Sequence, residues 1–229
     1  MNNMDSKAGS ISALLVSEEE AKRVIGPEGA LDVLELFFRE QVSGKTVTPP
    51  RMHVDSSEGN MVFTAGGSEG KKIMGFRVYT TYGNDDQFVA VYNSGTGNLR
   101  GIVFGSYTGS LRTAAIGSLS IKYMARKDAK VLGVIGSGTQ AFFQAISAIK
   151  TNNFEQVEVY SPNRDHSASF ASRVREISGV EVIERNSARD VAGEADVLIL
   201  ATKSSEPVRL RFPLTMLTSI FGSYHPTDA

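Results

Sequence analysis

The stretch Lys130-Val131-Leu132-Gly133-Val134-Ile135-Gly136-Ser137-Gly138-Thr139-Gln140-Ala141 decides the reading of this chain. A short apolar run of β-branched and aliphatic residues predicts a buried strand. A glycine loop follows it, and then Phe142, Ala145, Ile146 and Ile149 recur at helical spacing. The loop has the form G-x-G-x-x-A. Gly136 suits the tight turn, Gly138 lets backbone approach a pyrophosphate, and the small Ala141 lets the helix lie close on the strand. A helix beginning there offers unbonded N–H groups and the positive end of its dipole to phosphate. The competing reading, a strand-to-helix turn that binds nothing, is weakened by this strand-loop-helix context.

Downstream the same grammar repeats. Strands are expected at QVEVY, VEVI and DVLILAT, with helices at 166–177 and 188–193 between them. Alternation of this kind predicts a parallel sheet covered by helices, a Rossmann-type α/β domain. The second strand ends in Tyr160-Ser161-Pro162-Asn163-Arg164, without the Asp or Glu that grips both ribose hydroxyls in an NAD-selective site. Ser161, Asn163 and Arg164 are instead donors suited to a 2′-phosphate, so the expected cofactor is NAD(P), with NADP slightly favoured.

Upstream the pattern is α+β. Ser17 and Glu20 form a capping box, and Pro27 opens a helix with Leu31, Leu34, Phe38 and Val42 on one face. Strands are expected at 61–64, 72–80, 88–93 and 99–105, with Gly95 and Gly97 turning the last pair, and a helix at 110–125. The expected division is residues 1–127 and 128–229. Three arginines stand out in the first part. Arg51 follows the stiff Pro49-Pro50 pair, Arg77 lies inside a strand, and Arg112 is placed in the first turn of a helix, against the dipole. Each suits an anionic ligand, and each also has an ordinary surface explanation.

Composition narrows the function classes. Lysine and arginine total 24 against 25 acids, so there is no cationic excess for nucleic acid or a membrane surface. A 229-residue chain without cysteine, signal-like leader or long apolar run is expected to be a cytoplasmic protein handling a small molecule. His53, His166 and His225 are isolated, so no metal site is expected. The Gly66–Lys72 stretch lacks the first glycine and the hydroxyl of a P-loop and is expected to be a turn between strands.

Taken in order, PPRMHVD at 49–55, MGFRVYT at 74–80, SLRTAA at 110–115, VIGSGTQA at 134–141 and DVLILATKSSEPV at 196–208 resemble the ornithine cyclodeaminase/μ-crystallin family. The resemblance implies a homodimer whose protomer joins a substrate-binding and dimerisation domain to a Rossmann-type domain. It implies hydride transfer to or from the α-carbon of a small imino or amino acid, as in ketimine or Δ1-pyrroline-2-carboxylate reductases and alanine dehydrogenases. Ornithine cyclodeaminase chemistry and dinucleotide binding without turnover are the alternatives. Arg51 and Arg112 are implied to hold the substrate carboxylate, with Arg112 and Thr113 near the cofactor. Gly136, Ser137, Gly138, Thr139 and Gln140 are implied to meet the pyrophosphate, Ser161 the ribose, and Thr202 the dinucleotide cleft. Many members carry lysine where this chain has Arg77, a permanent cation that binds and polarises but does not exchange a proton. If Gly222-Ser223-Tyr224 matches the family's aspartate region, Tyr224 replaces that carboxylate, which argues against cyclisation. Family chains run on beyond the position of Ala229, so an incomplete second domain is expected.

Overall fold

The computed structural model describes residues 13–82 and 86–204 in full and the backbone of a strand at 217–220. The chain divides into two compact units, one made of Met1–Val24 with Leu36–Thr108, the other of Ile25–Glu35 with Gly109–Ala229. The division expected from sequence runs at 127/128, whereas here the helix preceding that point goes with the second unit.

The first unit begins with β1 (Leu14–Val16) and α1 (Glu18–Val24). The Ser17 capping box forms as expected: Glu20 N–H donates to the Ser17 hydroxyl at 3.3 Å and Ser17 N–H donates to the Glu20 carboxylate at 2.8 Å. Pro27 opens α2 (Pro27–Val42), which is shared between the units. Leu31 is buried as the helical periodicity predicts, but Val42 is almost wholly exposed, so the apolar stripe ends before the last turn. Then come β2 (Thr46–Val47), β3 (Met52–Asp55), β4 (Asn60–Ser68), β5 (Ile73–Thr80), β6 (Gln87–Asn93) and β7 (Leu99–Phe104). The strands form one sheet in the order β1-β7-β6-β5-β4-β2, with β3 also on β4; all pairings are antiparallel except β1 with β7. The three short strands β1, β2 and β3 were not expected from sequence, being too brief to show a period. The Gly66–Lys72 stretch extends β4 to Ser68 and turns only afterwards, with Lys72 N–H donating to Glu69 O.

Alternation along these strands sorts residues by face. Met61, Phe63, Phe76, Phe88 and Phe104 share one face through direct register, and Val62, Thr64, Arg77, Tyr79 and Val89 share the other. Edge-to-face and tilted ring pairs, Phe76–Phe88 at 6.1 Å and Phe88–Phe104 at 6.3 Å between centroids, knit the first face.

The second unit is carried by α3 (Tyr107–Met124) from Gly109 onward, then β8 (Val131–Ile135), α4 (Thr139–Thr151), β9 (Gln156–Tyr160), α5 (Arg164–Ser178), β10 (Glu181–Glu184), α6 (Ala188–Glu194), β11 (Val197–Leu200) and β12 (Leu217–Ile220). Every strand pairing is parallel, in the order β10-β9-β8-β11-β12. This is the doubly wound 3-2-1-4-5 order, so the Rossmann-type expectation holds. The chain reaches a fifth strand.

Burial explains the order. Leu132, Val134, Val157 and Val159 project to the side of α4 and α5, where they meet Ala141, Ala145, Phe170 and Val174. Leu198 and Ile135 meet Val191 and Ala192 of α6 on the other side. Sequestering each large aliphatic side chain contributes roughly 1.5–3 kcal/mol, enough for this apolar pattern to dictate the layers. Asp196 ties the start of the sheet: its carboxylate accepts from Lys130 N–H at 2.7 Å and Val131 N–H at 3.0 Å and pairs with Arg126. Glu158, fully buried on β9, is met by the forked guanidinium of Arg185, its Nε donating at 2.9 Å, and by the Gln156 amide at 3.0 Å. Among the described residues no helix is long and apolar enough to cross a membrane.

Candidate functional site

The strand order fixes where a ligand of the second unit belongs. In such sheets ligands sit beyond the carboxyl ends of the strands where the winding reverses, here between β8 and β11. The glycine loop lies at that point. Gly136 has φ of +117°, and its N–H donates to Tyr160 O at 2.9 Å. A Cβ there would stand 2.1 Å from the Ala201 carbonyl oxygen, so only glycine fits the close passage of loop and β11. Gly138 differs. It is the N-cap of α4 in extended conformation, exposed, and a Cβ on it would face open space.

No side chain caps α4, and its first helical bond of this kind runs from Phe142 N–H to Gly138 O at 3.0 Å. The N–H groups of Thr139, Gln140 and Ala141 therefore lack intrahelical acceptors, and their dipoles add at this end. Thr139 is exposed and Ser137 half-buried beside them, while Ala141 is fully buried against the sheet, as its small size suggests. The arrangement can receive a di-anionic group on backbone donors without a basic side chain. Gln140 is a partial departure from expectation: its side-chain amide donates to Ser110 on α3 at 3.2 Å, leaving its backbone N–H at the helix end.

Around this centre, Ser161 is half-buried just past β9. Asn163 caps α5, its side-chain oxygen accepting from His166 N–H at 3.0 Å, so only its amide hydrogens remain for a ligand. Exposed Arg164 donates to the Asn186 side chain at 3.2 Å, a neighbour beyond β10 that sequence did not single out. The Thr202 hydroxyl, two residues past β11, accepts from Ser204 N–H at 3.1 Å. On α3, Arg112 is exposed and Thr113 donates its hydroxyl to Gly109 O at 3.0 Å. Because α3 starts at Tyr107, Arg112 lies in the second turn and not, as expected, in the first, where the dipole would oppose its charge.

In the first unit, Arg77 is half-buried on β5. Its Nε donates to the Gln87 side-chain oxygen at 3.1 Å, and its guanidinium carbon lies 4.4 Å from the Tyr79 ring centre. Arg51, exposed, precedes Met52, which faces Phe63; the next β4 residue, Thr64, faces Arg77. Arg51 itself lies outside β3, immediately before its first residue. A cavity of about 660 Å³ opens elsewhere in this unit, between Val47, Pro49, Met74, Phe76 and Tyr92, with an apolar wall and none of the expected site residues. Gly222-Ser223-Tyr224 lie outside the described residues, and among those described no group of carboxylates and histidines could hold a metal ion.

A doubly wound sheet with an uncapped glycine-loop helix at its switch point places this chain among proteins built on a dinucleotide-binding fold. The model of the "Ornithine cyclodeaminase/mu-crystallin family" matches residues 14–211, and the chain belongs to that family. It is similar to an iminosuccinate reductase of Paracoccus denitrificans, 29% identical over 206 residues that cover 85% of this chain and 63% of that protein. An alanine dehydrogenase of Archaeoglobus fulgidus is 28% identical, over 86% of this chain and 62% of its own. The chain therefore spans less than two thirds of the length of these curated relatives. Among solved structures, Thermococcus litoralis Δ1-pyrroline-2-carboxylate reductase in complex with NADH and L-proline superposes with a TM-score of 0.84 at 26% identity, over 91% of this chain and 68% of that one.

Proposed function

We propose that this chain carries the machinery of an NAD(P)-dependent oxidoreductase that moves hydride to or from the α-carbon of a small imino or amino acid. The observation that carries this reading is the uncapped start of α4 at the β8/β11 switch point, with Gly138 open in front of it. Relatives named as imino acid reductases and an alanine dehydrogenase support the substrate class. In this reading Arg51 and Arg77 of the first unit and Arg112 of the second are each a cation suited to an anionic ligand, and charge of that sign stabilises negative charge developing in transfer. Arg77, anchored by Gln87 and Tyr79, acts as a fixed cation and not as a proton donor, which suits direct hydride transfer. NAD(P), when bound, supplies the hydride.

At the ribose end, Ser161, the Asn163 amide and Arg164 favour a 2′-phosphate and hence NADP. Relatives solved with cofactor hold NADH, NAD or NAD+, which makes NADH the competing outcome. Titration with NADPH and NADH, followed by nucleotide fluorescence at fixed salt, tests the reading; binding of neither by folded protein overturns it. Turnover is then sought with cyclic imino acids and with 2-oxo acids plus amines.

The proposed partner is a second copy. Met52, Met61, Met74 and Phe104 are all markedly exposed on the same aromatic sheet face, an arrangement that favours burial against an identical face. Sedimentation of the purified chain reads the assembly directly.

A further inference from the structure

The contact between α3 and α4 contains a line of polar groups that cofactor binding alone does not explain. Gln140, Gln144 and Ser147 occupy successive turns on one stripe of α4. At one end of the stripe Gln140 donates to Ser110 of α3 at 3.2 Å, and at the other Ser118 of α3 donates to Ser147 at 2.8 Å, both serines of that pair being buried. Gln144 lies between these two bridges and is 1% exposed, yet neither its amide nitrogen nor its carbonyl oxygen has a hydrogen-bond partner. The Gln140 side-chain oxygen is likewise buried and unpaired. Leaving buried amide atoms unsatisfied is costly, and a leucine on this stripe would avoid that cost. On α3, Ala114 stands one turn from each of Ser110 and Ser118, with Gly117 beside it, and both are small and buried. A seam of small apolar residues sets helix register weakly, whereas directional polar pairs set it sharply.

The ends of the two helices give this line a use. Arg112 and Thr113 follow Ser110 by two and three residues, and the unbonded N–H groups of α4 belong to the turn that contains Gln140. We infer that Gln140 and Gln144 are positioning residues, which couple anion binding at the start of α4 to the placement of α3 and hence of Arg112. The inference rests on the dinucleotide reading above. A phosphate held by the first turn of α4 stiffens that turn, and the Gln140–Ser110 bond passes the constraint to α3. Gln144 holds donors and acceptors in reserve that pair when the two helices settle into the liganded register.

Hydrogen exchange of the full chain, without nucleotide and with NADPH or NADH, tests this, using the wild type, Ser110→Ala, which removes the acceptor of the Gln140 amide, and Gln144→Leu. Gln144→Leu removes the unpaired amide at nearly constant volume, so this variant is expected to fold. In the wild type the nucleotide that binds is expected to slow exchange both at residues 138–142 and at 109–114. Both variants are expected to keep the first effect and lose the second. Protection of α3 that is the same in all three proteins overturns the coupling and leaves the cofactor reading intact. A folded wild type in which neither NADPH nor NADH protects either segment overturns the cofactor reading and this inference together.

Discussion

A Cβ on Gly136 would stand 2.1 Å from the carbonyl oxygen of Ala201, so the glycine loop and the end of β11 are in contact through the absence of a side chain. The backbone at Gly136, with φ of +117°, disfavours any other residue independently of that clash. Gly136→Ala is therefore expected to destabilise the second unit by about 3 kcal/mol, from backbone strain and overpacking together. Chemical denaturation reads this, and an unchanged midpoint would show that the loop can move away from β11.

Gly138→Ala separates fold from ligand. Its φ of −80° suits alanine and a Cβ there meets nothing, so the only cost is the weaker preference of alanine for an N-cap, and stability is expected to fall by no more than about 1 kcal/mol. The added methyl instead occupies the approach to the free N–H groups, and affinity for NADH and NADPH is expected to fall by about tenfold or more. Equal affinity in the variant and wild type would place the phosphates elsewhere.

The Glu158–Arg185 pair is a stability device with an asymmetric response. Glu158 has no solvent to fall back on, so Arg185→Ala strands a buried carboxylate and is expected to lower the melting temperature by on the order of 10 °C. Replacing both residues by leucine is expected to recover most of the loss. A double variant as unstable as the single one would mean the pair contributes something packing cannot replace.

Asp196 predicts part of the acid sensitivity. Burial pushes its carboxyl pKa up, but the N–H groups of Lys130 and Val131 and the charge and hydrogen bond of Arg126 outweigh that and hold it below the ordinary aspartate value. A depressed folded pKa stabilises the protein fully above the unfolded value, about 3.9. That stability is lost as pH falls through the lower folded value. Asp196→Asn is expected to be less stable at neutral pH and to lose less on acidification below about pH 4. Parallel acid limbs for the two proteins in denaturation midpoints would assign the acid sensitivity to other groups.

The sequence by itself determined the layered second unit and the place of the glycine loop between its first strand and helix. The long apolar strands, their 3.6-residue helical partners and the glycine loop are local patterns, and local sterics with burial suffice to read them. It also identified the capping box at Ser17, because both partners of a cap lie within one turn. The sequence does not show β1, β2 and β3, whose pairing depends on a neighbouring strand and whose few residues carry no period. It placed Arg112 at a helix end that the fold puts earlier, since Tyr107 and Thr108 give no cap pattern of their own.

Only the tertiary structure decided what the polar side chains do. Gln144 looks from sequence like any residue beside an apolar stripe, and its burial without a partner follows from where α3 lies. The pairing of Glu158 with Arg185, of Asp196 with the N–H groups of Lys130 and Val131, and of Arg164 with Asn186 each joins residues remote along the chain. Hydrophobic pattern is read one element at a time, because burial needs only a face. A hydrogen bond needs a particular partner at a particular distance, and that partner is chosen by the packing of the whole unit.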